Sequence, residues 1–176
     1  PTRVEGAAPE WRTLAIASRG ACDQNPLDPA SAEDRLRLRA YIWADQTGRL
    51  DRLNAALDLA RETGVKPEKA DAGEWVGRRL ARGLPAGTTV IYHSVFYQYP
   101  PLSVRLAIRD VIEDAGGRTS GGRRLAWVRF EPQSILGEQR ASASYVLDLV
   151  SWENGRRSEV TLADVDPHGR SMVWRS

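Results

Sequence analysis

The densest chemistry in the chain lies between Tyr92 and Tyr99, YHSVFYQY, directly behind the apolar run that ends in Val90 and Ile91. An imidazole titrates near neutral pH, so His93 can take up or release a proton, with the hydroxyls of Ser94 and Tyr97 close by in sequence. Ligands of open α/β folds gather at the carboxyl ends of the strands, which is where this stretch falls. Glu131 ends the next apolar run and could orient His93 or meet a cationic ligand. Pro132 behind it offers the simpler reading that Glu131 opens a loop, and a histidine at such a place is equally well a satisfied core residue. Tyr99 and His168, the latter in the turn word DPHG with Asp166, complete the side chains against which a substrate could lie. The rings of Tyr92, Phe96, Tyr97 and Tyr99 could stack on a planar ligand, although packing against the following helix accounts for part of that cluster.

Other chemistries are poorly served. His93, His168, Asp23, Asp28, Glu131 and Asp166 could ligate a metal, but no HxH or HExxH spacing joins any pair, so no metal is expected. Ser94 lacks the flanking glycines of a G-x-S-x-G elbow. Asp23 and Asp28, in CDQNPLDP, are turn formers whose side chains bond their own backbone. Asp71 precedes a helical pattern with Glu74 three residues on, and an N-cap carboxylate needs no ligand to justify it.

The elements that would position these groups read as follows. Trp11–Ser18 is the first strand candidate. A helix starts at Ser31 and runs towards Trp43, and a second carries Leu50, Leu53, Leu57 and Ala60 before Gly64 stops it. Val65–Ala70 is a short strand weakened by Pro67, and a third helix buries Trp75, Val76 and Leu80. Gly87–Gly117 then reads as strand, loop and crossover helix. Arg124–Phe130 is the next strand, Ala143–Trp152 and Ser158–Val165 form a hairpin through Asn154-Gly155, and Ser171–Trp174 is a last short β segment. Helix-separated strands ending in a hairpin predict an α/β, Rossmann-like doubly wound sheet. Leu14–Ala17, Val90–Tyr92 and Leu125–Val128 would be parallel in it, the hairpin antiparallel at an edge, and Asp23, Asp71, His93 and Glu131 on one sheet edge.

A chain of 176 residues suits a single α/β domain over 1–176, with 1–10 as a lead-in segment from a longer protein. With 25 basic and 23 acidic residues spread along it, the net charge is +2, and nucleic acid is not the expected partner. The arginine pairs 78/79, 123/124 and 156/157 read as solvated faces and turns. No apolar run approaches the roughly 20 residues of a membrane helix. Cys22 is the only cysteine, which excludes an intrachain disulfide and suits a reducing, cytoplasmic setting.

In that order, the words RGACDQNPLDP, EDRLRLRAYIWADQ, KADAGEW, TVIYHSVFYQY and DPHGRSMVW resemble the C-terminal portion of an uncharacterised bacterial family of domain-of-unknown-function proteins. The layout is similar, more weakly, to class I S-adenosylmethionine-dependent methyltransferases. That likeness implies a methyl-donor site in which Asp23 lies near the ribose, Asp71 near the adenine and Ser94 close to the donor, with His93 or Tyr97 aligning or deprotonating the acceptor. The glycine-rich turn that such enzymes place after their first strand is missing here, whereas members of the bacterial family carry a GASAGLNL-like segment upstream.

The expectation is therefore a methyltransferase-like domain, incomplete at its glycine-rich strand and turn, that binds a nucleotide-type small molecule such as S-adenosylmethionine. The alternative is a non-catalytic cofactor-fold or interaction module. A sheet lacking its central strand would recruit a second copy, as a homodimer, or a retained upstream fragment.

Overall fold

The structure is a computed structural model that describes residues 3–10, 12–64, 66–136 and 144–175. In chain order its elements are β1 (Arg3–Glu5), β2 (Cys22–Asp23), α1 (Ala32–Ala40), α2 (Thr47–Thr63), β3 (Glu68–Lys69), α3 (Ala72–Ala81), β4 (Gly87–Ser94), α4 (Leu102–Gly117), β5 (Arg123–Pro132), α5 (Gln133–Leu136), β6 (Tyr145–Glu153), β7 (Arg156–Val165) and β8 (Ser171–Trp174). They divide into two compact units, one of residues 15–75 and one of residues 1–14 with 76–176.

In the unit of residues 15–75, local capping sets the helix ends. Ser31 accepts the Asp34 N–H at 3.3 Å to start α1, and Gly64, at φ 66°, takes the left-handed conformation that ends α2. Arg35 bonds Asp58 at 2.8 Å and Arg39 bonds Asn54 at 2.8 Å, joining α1 to α2. Strands β2 and β3 form a two-residue parallel pair, Cys22 with Glu68 and Asp23 with Lys69.

The other unit is built on a six-stranded mixed sheet in the order β1-β8-β7-β6-β5-β4. β4 lies parallel to β5, with the crossover helix α4 between them in sequence, and β1 lies parallel to β8; the three remaining pairings are antiparallel. α4 packs on one face through Ile108, Ile112 and Ala115, opposite Leu125, Trp127, Val150 and Trp152. Alternation does this sorting, because every second residue of β5 from Leu125 to Glu131 is buried. Gly116 permits the closest approach: a Cβ there would overlap the Trp152 indole. The hairpin turn also leans on the end of α4, with the Gly155 N–H donating to Thr119 Oγ1 at 2.9 Å.

Three expectations need correction. Residues 12–18 form no strand, and Leu14 and Ile16 are exposed; Trp11 lies outside the described residues. Their alternation has no strand beside it to pair with, and β propensity is realised only through such neighbours. The Asn154-Gly155 hairpin is interior to the sheet, because the turn at Asp166–Gly169 folds β8 back onto β7 and β1 adds beyond it. The edges are β1 and β4 instead, with Val90 and Tyr92 exposed on β4, so the six-stranded sheet is mixed, with a single crossover helix joining its β4–β5 parallel pair, rather than doubly wound. Val65 and Ala143, the first residues of two expected strands, lie outside the described residues.

Two neighbouring glycines provide a test of the α4 packing. Gly116→Ala is expected to destabilise by about 1–3 kcal/mol, as overpacking does, whereas Gly117→Ala, with nothing within 4 Å of its would-be Cβ, should be neutral or stabilising by up to about 1 kcal/mol. Denaturant unfolding of both variants measures the difference, and equal effects would refute the close contact.

Candidate functional site

The loop leaving β4 has to reverse over the sheet end, and it does so at a cost. Val95 has φ 50°, a left-handed conformation that is unfavourable for a β-branched residue. The Val95 N–H donates to Phe130 O at 2.8 Å, and those of Phe96 and Tyr97 donate to Glu131 Oε1 at 2.8 and 3.0 Å. Glu131 is fully buried, and the same oxygen lies 2.7 Å from His93 Nδ1. Since that oxygen is already an acceptor for two backbone donors, the network assigns the imidazole proton to Nδ1. In the neutral imidazole Nε2 is then the lone-pair nitrogen. Nε2 and Glu131 Oε2 are both buried, and neither has a hydrogen-bond partner among the described residues.

Aromatic rings enclose the imidazole. Tyr97 stacks on it with centroids 5.0 Å apart, Phe96 meets it edge-on at 5.7 Å, and Trp127 lies at 5.9 Å. The Tyr97 hydroxyl donates to Arg105 O at 2.6 Å. Burial pushes its pKa up to about 12, against the partial pull of the Arg129, Arg109 and Arg105 charges. Tyr97 therefore keeps its proton at neutral pH, with its ring stacked on the imidazole.

Beside the histidine lies a buried ion pair that alternation alone does not reveal. His93, Arg129, Asp148 and Thr161 are register partners across β4, β5, β6 and β7 and form a polar row across the sheet. Arg129 is bonded through Nε and Nη2 to Asp148 Oδ2, donates to Glu159 Oε1 at 2.8 Å, and lies 4.6 Å over the Trp127 ring. Burial pushes the Glu159 carboxyl up, but the hydrogen bond from Arg157 and the charges of Arg129 and Arg157 outweigh it and hold the group below the usual carboxylate range. A charged residue at a buried strand position, as at Arg129 and Asp148, is the only sequence signal that could have flagged this pair.

The structure thus brings His93, Tyr97 and Glu131 together. Ser94 is exposed at the last position of β4, and Tyr99 is exposed beyond it. His168 sits in the β7–β8 turn, where its N–H donates to Asp166 Oδ1 at 3.0 Å; the hydrogen bond from Arg170 holds Asp166 well below the usual carboxylate range. Asp23 and Asp71 belong to the other unit, with Asp23 in its own two-stranded sheet, so the four residues do not share one sheet edge. Asp23 Oδ1 accepts the Asn25 N–H at 2.7 Å as an Asx turn, and Asp71 Oδ1 caps α3 through Gly73 and Glu74 at 2.8 and 3.2 Å. Both have local backbone work, and no glycine-rich turn follows a strand of the β4–β5 pair at its carboxyl end. These residues do not fit S-adenosylmethionine. Among the described residues no three His, Cys, Asp or Glu side chains converge as metal ligands, and no helix is long and apolar enough to cross a membrane.

Two stability measurements probe this layer. Asp148→Ala should cost about 3–5 kcal/mol, because it strands a buried guanidinium; a loss under 1 kcal/mol would mean that Glu159 and water suffice. For Tyr97, a hydroxyl near 10 when unfolded and about 12 when folded contributes stability that is complete below pH 10 and lost as pH rises through 12. The wild type should lose about 2–3 kcal/mol more than Tyr97→Phe over that interval. Parallel pH profiles for the two proteins would contradict the assignment.

No curated protein and no solved structure matches the chain. A protein-family model described as "Uncharacterized protein conserved in bacteria (DUF2332)" matches residues 1–174, a span that includes the β4–α4–β5 crossover and the His93–Glu131 pair. The chain therefore belongs to the DUF2332 family of bacterial proteins.

Proposed function

We propose that the chain acts on a small molecule by proton transfer at His93 Nε2, with Glu131 as the positioning residue that holds the Nδ1–H tautomer and stabilises the imidazolium once formed. One observation carries the reading. Glu131 Oε1 is saturated by three donors, so the histidine has a single defined orientation at the carboxyl end of a parallel strand pair, with its lone pair unspent. The strained Val95 turn supports it, since such backbone persists where a site requires it. A substrate gains access to Nε2 only when the turn at 95–99 shifts, because that atom is buried. In the finer, methyltransferase-like form of the proposal, the proton comes from a methyl acceptor and the donor is held by groups beyond those assigned above.

The burial of Nε2 favours a second reading, in which the pair is a structural clamp in a non-catalytic module. Turnover separates the two. The protein would be incubated with a small-molecule extract and followed by untargeted mass spectrometry, alongside His93→Gln and Glu131→Gln. Proton transfer predicts a compound consumed by the wild type, at least about 100-fold more slowly by His93→Gln, and at an intermediate rate by Glu131→Gln. Equal behaviour of the three folded proteins would leave only the clamp. Calorimetry with S-adenosylmethionine is expected to show weak or undetectable binding, and tight binding would mean that the donor pocket lies elsewhere in the chain.

A further inference from the structure

The second concentration of chemistry lies at the other end of the β4–α4–β5 crossover. Arg123, which opens β5, is six positions before Arg129, the partner of His93, which is about 20 Å along a strand. Around it lies a cavity of about 330 Å³, lined by Arg82, Arg118, Arg123, Thr119, Ser120 and Leu80 among others, with no acidic residue in its wall. Three arginines and two hydroxyl-bearing residues thus line the space, and no acidic residue does.

Simple compensation does not account for this charge. α3 and α4 both end here, with Gly83 N–H bonded to Leu80 O at 3.0 Å and Thr119 N–H to Gly116 O at 3.0 Å. Each helix C-terminus carries roughly half a negative charge, so the two together offset about one arginine. Arg118 is paired with Asp114, outside the cavity wall. Neither Arg82 nor Arg123 is within ion-pairing distance of a carboxylate among the described residues. About one positive charge therefore remains, on planar forks that match tetrahedral oxyanions better than an ammonium does.

The turn between α4 and β5 forms one side of the space. Thr119-Ser120-Gly121-Gly122-Arg123 closes through Arg123 N–H to Ser120 O at 3.0 Å, with Gly121 and Gly122 at φ 60° and 78°, the tight geometry that glycine pairs adopt. Thr119 is anchored by the hairpin contact from Gly155, so the cavity wall is tied to the sheet as well as to α4. The Ser120 hydroxyl and the guanidinium groups remain as donors.

We propose that this cavity is an anion site for a phosphate group, free or carried by a small phosphorylated molecule, separate from the histidine site. A remaining charge of about one, set against the roughly −1.5 to −2 of a phosphate monoester at neutral pH, predicts modest affinity rather than tight binding. The test is a titration of amide resonances with inorganic phosphate and, separately, with glycerol phosphate, sodium chloride holding the ionic strength constant. Saturable shifts at Thr119, Ser120 and Arg123 are expected with either probe, and tighter binding of glycerol phosphate would identify a phosphorylated metabolite over free phosphate. The double variant Arg82→Gln/Arg123→Gln should weaken binding at least about 10-fold while the other amides keep their positions. Should that variant not fold, Arg82→Lys and Arg123→Lys keep the charge and remove the fork, and each should weaken binding about 3-fold or more. Shifts reproduced by chloride alone, or affinity unchanged in the folded variants, would overturn the proposal.

Discussion

The buried carboxylate of Glu131 is the constraint on which the carboxyl end of the β4–β5 strand pair depends. A group with no solvent contact must be satisfied by the protein, and one of its oxygens takes the N–H groups of Phe96 and Tyr97 and the His93 imidazole. Those three donors come from the end of β4 and the loop that follows, whereas Glu131 itself belongs to β5. One side chain thereby couples two parallel strands and the start of the crossover. Truncating it would release a histidine orientation and a loop conformation together, which is why its role is positional rather than local.

A second buried charge system lies next to the first in the sheet. Desolvating Arg129 and Asp148 costs several kcal/mol each in principle, and their attraction offsets this only where remaining donors and acceptors are used. Here they are: Arg129 also reaches Glu159 and the Trp127 face, and Asp148 also accepts from Thr161 at 3.4 Å. A pair of matched apolar side chains would fill the same space at no greater cost. The polar row therefore speaks more for a unique strand register across β4 to β7 than for added stability.

What could be read from residue order was local. The caps at Ser31 and Asp71, the stop at Gly64, the Asn154-Gly155 turn and the β4–α4–β5 unit each depend on a few neighbouring residues, and each is present. The meeting of His93 with Glu131 was legible because both end strands joined by a crossover. Failure came where partners are remote in sequence. Residues 12–18 alternate like a strand, but nothing in their own composition says whether another strand lies beside them. The position of the hairpin depended on the return of β8 and the parallel addition of β1, a pairing between the two ends of the chain that no local pattern announces. Arg129 and Asp148 were hidden for the same reason, since each makes sense only when the other is placed opposite.

The magnitudes explain why the loop can remain strained. A valine in the left-handed region costs about 1–3 kcal/mol. Against this stand one neutral backbone hydrogen bond, Val95 to Phe130, worth about 1 kcal/mol, and two backbone bonds to a carboxylate, each worth about 1.5–3 kcal/mol. The balance favours the closed turn by a few kcal/mol, which is enough to keep it populated and small enough for a ligand to reverse. For the proposed site, that ordering makes Glu131 the group that holds the turn: its carboxylate fixes the backbone that carries two of the rings packed on His93. In the proposed site, a ligand that drew on Oε2 or on His93 Nε2 would use atoms outside the Oε1 network, so its hydrogen bonds would add to those of Glu131 and offset the cost of shifting the turn.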